Sequence, residues 1–181
     1  MKLSNHWIIF FLSALLVSCQ RDACEANWLK HENKHFTLCY PKTWSADDSG
    51  VFDAELILIH SGTNVKVDLG RNINIIKQNK AHFPEIKTLQ EYADFSKNQI
   101  FEYLEAPKIK FFKAYNFSNI ESYKLVMTAM QNGRDLFFEQ YFFKYENNFY
   151  VITFTTTASD KDTALKNEAR KIIESIQLLE K

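Results

Sequence analysis

From Tyr123 to Gln131, Tyr123, Leu125, Met127 and Ala129 alternate with Lys124, Val126, Thr128 and Met130, the two-residue period of a pleated strand with one nearly continuous apolar face. Asn132 and Gly133 follow, a pair that tolerates positive φ at both centres of a type I′ turn. The next segment, Leu136 to Tyr145, is therefore expected to return antiparallel. Its Phe137, Tyr141, Phe143 and Tyr145 fall on one face and its Leu136, Phe138 and Phe142 on the other, which predicts cover on both sides. Glu146, Asn147 and Asn148 make a second turn, and Phe149 to Thr157, dense in aromatic and β-branched residues, reads as a central strand.

The earlier half repeats the strand signal more briefly. Residues Gln20 to Asn27 read as a short tether, and Phe36 to Tyr40 alternates and stops at Pro41, with Trp44 in a loop that ends near Gly50. Val51 to His60 is a second strand, Ser61 to Asn64 a turn, and Val65 to Gln78 the returning strand, its alternation clearest from Asn72 to Ile75. Thr88 followed by Glu91 fits a capping box that opens a helix. Leu89, Tyr92, Ala93, Ile100, Tyr103 and Leu104 recur on its inner face, and Pro107 marks where it has already ended. A strand from Lys108 to Phe117 leads back into the meander. After Thr157, Ser159 with Asp162 repeats the capping pattern, and Leu165, Ala169, Ile172, Ile173, Ile176 and Leu179 form the stripe of a closing helix that packs on the sheet.

With 181 residues, 46% hydrophobic, the chain is long enough for one domain with a substantial core. The formal net charge is +0. No basic stripe speaks for nucleic acid, and Lys108, Lys110 and Lys113 read as a solvated strand face or as edge-strand protection. The 15% aromatic content follows strand period, so core packing accounts for it better than a sugar-stacking platform does.

The first eighteen residues carry processing information: Lys2, then an apolar run from Trp7 to Val17 broken by Ser13, too short to span a bilayer comfortably. Leu16, Val17, Ser18 and Cys19 resemble the lipobox of bacterial lipoproteins, which implies Cys19 as the acylated first residue of the mature chain. That divides the sequence into a signal peptide (1–18), a lipidated tether (19–30) and a globular domain (31–181). The expected address is the bacterial cell envelope, lipid-anchored through Cys19, periplasm-facing or on the outer membrane. Cys24 and Cys39 remain in a chain bound for an oxidising compartment, and a disulfide between them is expected. A reactive Cys39 is the sharper alternative, but it has no local nucleophile signature.

Phe36-Thr-Leu-Cys-Tyr-Pro41 with nearby Trp44, the helix opening at Thr88 after paired strands, the Tyr150-Val-Ile-Thr-Phe-Thr155 strand and the closing Ile172-Ile-Glu-Ser-Ile176 resemble the PsbP/DcrB-like superfamily. The resemblance covers most of the mature chain and implies an α+β fold, a single antiparallel β-sheet flanked by α-helices in an αβα sandwich. It carries over no catalytic residue, since members serve as accessory, assembly or binding proteins.

His31-Glu32-Asn33-Lys34-His35 is a literal H-E-x-x-H, which on a helix would offer two imidazoles to zinc and a glutamate to activate water. Its setting, shortly beyond the anchor and running directly into a strand, favours a solvated loop. His60 and His82 are the available third ligands. Gly50, Gly62, Gly70 and Gly133 build no phosphate loop or dinucleotide fingerprint, Gly-x-Ser-x-Gly is absent, and Asp47 with Asp48 reads as a solvated pair. The expectation is a non-catalytic envelope lipoprotein with no cofactor or metal, binding a protein or glycan partner. The alternative is a small periplasmic enzyme, for example a metal-dependent hydrolase using His31, Glu32 and His35.

Overall fold

A computed structural model of the chain describes residues 24–61 and 70–179. The lipobox, Cys19, residues 62–64 of the expected turn and 65–69 of the expected strand lie outside these residues. The described elements run β1 (Trp28–Glu32), β2 (Phe36–Pro41), β3 (Trp44–Asp47), β4 (Ala54–His60), β5 (Arg71–Asn79), α1 (Leu89–Tyr103), β6 (Glu105–Phe117), β7 (Ile120–Gln131), β8 (Arg134–Tyr145), β9 (Asn148–Thr157), α2 (Thr163–Glu174) and β10 (Gln177–Leu178).

The meander forms as its pattern requires. Asn132 and Gly133 sit at φ 53° and 73°, the left-handed values of a type I′ turn, and they set the register that pairs Gln131 with Arg134 and Leu125 with Gln140. Glu146, at φ 50°, turns β8 into β9, which lies between β8 and β5 as a central strand. The resulting seven-stranded antiparallel sheet has the order β3-β4-β5-β9-β8-β7-β6.

A single sheet flanked by helices is not what the chain builds. Phe36–Pro41 joins neither side of the meander; it pairs with β1, Lys30 opposite Cys39, and with β10, Phe36 opposite Leu178, in a separate three-stranded sheet. Pro41 closes β2, and the chain crosses to the large sheet, where Trp44 pairs with His60. Residues 28–30, read as tether, form the first part of β1.

The large sheet is covered on both faces. On one face Tyr92 and Ala93 of α1 pack against Leu125, Met127, Phe138, Phe142 and Phe149. The Tyr92 ring stacks on Phe149 at 3.9 Å between centroids. On the other face α2 and the small sheet together bury Ile73, Ile75, Tyr141, Phe143, Tyr150, Ile152 and Phe154 against Phe36, Leu38, Leu165 and Ile172. Each fully buried ring or branched side chain contributes about 2 kcal/mol, so the two-sided alternation of β8 and β9 is the main source of cohesion.

Helix ends follow their caps. Thr88 accepts from the Glu91 amide at 3.1 Å while the Glu91 carboxylate accepts from the Thr88 amide at 3.2 Å, completing the expected box. Tyr103, assigned to the inner face, is 80% exposed, while Ile100, Phe101 and Leu104 around it pack against the core. The cap of α2 is Asp162, whose side chain accepts from Leu165, and Ser159 lies upstream of it. Ile176 is buried beyond the end of the helix, and Leu179 follows β10, so the stripe continues through a strand after α2 stops.

Candidate functional site

Glu139 occupies an inward position of β8 between Phe137 and Tyr141 and is 2% exposed. A lone buried carboxylate is costly, and three neighbours offset that cost. Arg170 on α2 reaches down with Nε 3.0 Å from Oε1 and Nη2 3.0 Å from Oε2. Lys124 on β7 lies 2.8 Å from Oε1, and the Tyr141 hydroxyl donates to the same oxygen at 2.6 Å. Lys124 also donates to the Tyr141 hydroxyl at 2.9 Å and lies 4.8 Å from the ring centroids of Tyr115 and Tyr141.

Electrostatics follow this geometry. Burial pushes the Glu139 carboxyl up, but hydrogen bonds from Arg170, Lys124 and Tyr141 outweigh it and hold the group below its ordinary value of 4.5. Burial and the adjacent Glu139 charge raise the Tyr141 phenol far above its usual range. Its hydrogen bond to Glu139 raises the Arg170 guanidinium further. The seam therefore pairs the Arg170 and Lys124 side chains with one buried carboxylate, an arrangement that clamps α2 to the sheet.

One turn further along α2, at Glu174, lies a cleft of about 580 Å³. Its walls include Trp28, Ile120, Tyr145, Glu174, Ser175 and the Cys24–Cys39 pair. Those two cysteines form a disulfide, with Cα atoms 5.5 Å apart. It fastens the beginning of the described chain to β2, and the Ser175 hydroxyl accepts from the Cys39 amide at 2.9 Å, tying the end of α2 to the same strand. The Ser118 hydroxyl donates to the Glu174 carbonyl, so the β6–β7 turn closes the far side.

The His31 to His35 stretch takes a different form from the one its motif requires. His31 and Glu32 end β1, Asn33 turns the chain by accepting from the His35 and Phe36 amides at 2.8 and 3.0 Å, and His35 is buried before β2. A β-hairpin replaces the helix on which histidines four apart would share a face. The His35 Nε2 instead lies 2.7 Å from Lys77 Nζ, which also pairs with Glu55 at 2.9 Å. His60 stands edge-on to Trp44, 5.2 Å between centroids, and His82 is exposed in a short 3-10 turn. Among the described residues no group of three or more His, Cys, Asp or Glu side chains is arranged to hold a metal.

Motif reading passed over Glu139, Lys124 and Arg170. A signal was present: a carboxylate at an inward position of an otherwise aromatic strand demands a partner. Its cationic partners lie on other elements, 15 and 31 residues away in sequence.

Neither a protein-family model nor a curated protein sequence matches the chain. Solved structures do. Cyanobacterial PsbP (CyanoP) from Synechocystis sp. PCC 6803 superposes with a TM-score of 0.60 at 11% identity, over 91% of this chain and 99% of that one. LpqN of Mycobacterium tuberculosis, described as involved in cell envelope biogenesis, superposes with a TM-score of 0.54 at 14% identity, over 84% and 90%. At such identities the likeness is one of fold, and the chain adopts the PsbP-like fold.

Proposed function

We propose that the chain is a lipid-anchored, non-catalytic binding or assembly protein of the bacterial envelope, and that its partner, a protein or glycan, engages the cleft beside the disulfide. The carrying observation is the position of that cleft. Its lining mixes apolar residues such as Trp28 and Ile120 with polar ones such as Lys171 and Glu174, and Cys24 in its wall is five residues from Cys19. A cross-linked cysteine pair suits an oxidising compartment, and the involvement of LpqN in cell envelope biogenesis is in keeping with the same address. Glu139 and Arg170 are committed to each other inside the domain, which leaves the cleft and the surface as the parts that can meet a partner.

The test has three arms. Mass spectrometry of the mature amino terminus should find acylated Cys19, and Cys19→Ala should release the protein from the membrane. A photo-crosslinking residue at Glu174 should give a reproducible adduct in intact cells, whereas one at Tyr103 should not. His31→Ala with His35→Ala should leave a null strain fully complemented, in protein carrying far less than one zinc per chain. Stoichiometric zinc together with lost complementation would promote the hydrolase instead.

A further inference from the structure

The Gly50 to Asp53 turn before β4 carries Val51 and Phe52 into solvent, 42% and 77% exposed. Gly50, Phe52 and Asp53 all sit at positive φ, 82°, 56° and 56°. Glycine or asparagine takes that conformation at little cost, but a phenylalanine there combines backbone strain with exposure of a large ring. A residue held in place against both penalties suits a surface met by something apolar.

The topology relates this tip to the Cys24 end of the domain. β4 begins at this turn, and Ala54 stands opposite Ile76; along the sheet, β5 and β9 meet there at Asn79 and Asn148, and β6 and β7 at Phe117 and Ile120. Ser118, in the β6–β7 turn, shares the cleft with Cys24. The Val51–Phe52 tip and the Cys24 end of the domain therefore occupy the same end of the large sheet, four strands apart, about 19 Å at the usual strand spacing. Five residues separate Cys24 from Cys19, a covalent reach of at most roughly 17 Å. A rigid domain on so short a leash presents this end to the bilayer.

We infer that Val51 and Phe52 enter the interfacial layer of the membrane that holds the lipid anchor, fixing the domain in one orientation with its cleft at the bilayer surface. The inference rests on the anchored reading of Cys19. Once the anchor keeps the tip at high local concentration, two apolar side chains suffice to bias orientation, although they would not bind a free protein to vesicles. Asp48 and Asp53 flank the tip and repel anionic headgroups, so the preferred surface is zwitterionic, and insertion does not depend on added salt.

The decisive measurement uses the mature, acylated chain reconstituted in phosphatidylethanolamine–phosphatidylcholine vesicles with and without brominated acyl chains. Phe52→Trp should add a blue-shifted emission component, quenched at least twofold by brominated lipid beyond the wild-type signal of Trp28 and Trp44. In wild type, amide exchange across residues 48–54 should slow several-fold relative to unlipidated Cys19→Ala protein in solution, and Val51→Ser with Phe52→Ser should abolish the slowing while the chain stays acylated and vesicle-bound. Acylated protein whose residue-52 tryptophan is not quenched would overturn the insertion and leave the anchor standing. An unacylated mature chain would overturn both.

Discussion

Arg170 grips the buried Glu139 with two nitrogens, each 3.0 Å from a different carboxylate oxygen, and so joins the middle of α2 to the middle of β8. The contact is unequal, since the Arg170 side chain is 42% exposed and that of Glu139 2%. Breaking it from the two sides must therefore cost different amounts. Glu139→Ala strands Lys124, itself only 11% exposed, without its anion and should cost about 3–4 kcal/mol. Arg170→Ala leaves Glu139 paired with Lys124 and Tyr141 and should cost about 1–2 kcal/mol. Urea unfolding, read as midpoint shifts at constant slope, checks both values, and equal losses would contradict this account.

The same carboxylate makes stability depend on acid. Its folded-state pKa lies below the ordinary 4.5, so its contribution is fully present above the unfolded value and is lost as pH falls through the folded one. The difference in urea midpoint between wild type and Glu139→Gln should hold steady from neutrality to about pH 5 and close below that. Asp160, held below its ordinary 3.8 against the opposing effect of burial by bonds from the Asp162 amide, Thr156 and Arg71, should add to the same acid limb.

Removing the disulfide should cost what the size of its loop suggests and loosen the wall of the cleft as well. With a sequence separation of 15, the loop-entropy contribution is about 3 kcal/mol. Cys24→Ser with Cys39→Ser should lower stability by about that amount and also raise amide exchange from Glu25 to Trp28, the two residues of that stretch that line the cleft. Unchanged exchange there would mean that this segment is held by β1 pairing alone.

Thr88→Ala removes the hydroxyl that caps α1 and should cost about 1 kcal/mol. Thr88→Ser should recover most of it. Thermal unfolding of the three proteins checks the ordering, and loss of the cap should fray the first turn without moving Tyr92, which is stacked on Phe149.

Local chemistry was enough to specify the meander, its turns and the first helix. Alternation from Tyr123 to Thr157 sets which residues face which side, Asn132–Gly133 sets the reversal, and Thr88 with Glu91 sets a helix start, all within a few residues of chain. Pairings between distant segments were decided only in three dimensions. Nothing near Phe36 announces that its strand partner is Leu178, and so the second sheet was not anticipated. The apolar stripe after Thr163 is the same whether Ile176 ends a helix or precedes a strand, and the choice comes from the open edge of β2. Tyr103 fits the period of α1, yet it stands in solvent while Phe101 and Leu104 on either side of it pack on the sheet. The inward Glu139 was visible as a charge in an aromatic strand, yet its cations come from β7 and α2, and only the folded arrangement brings them within hydrogen-bonding distance. Periodicity records which face of an element avoids water; which other element covers that face depends on contacts whose free energy is gained only after the intervening chain has been ordered.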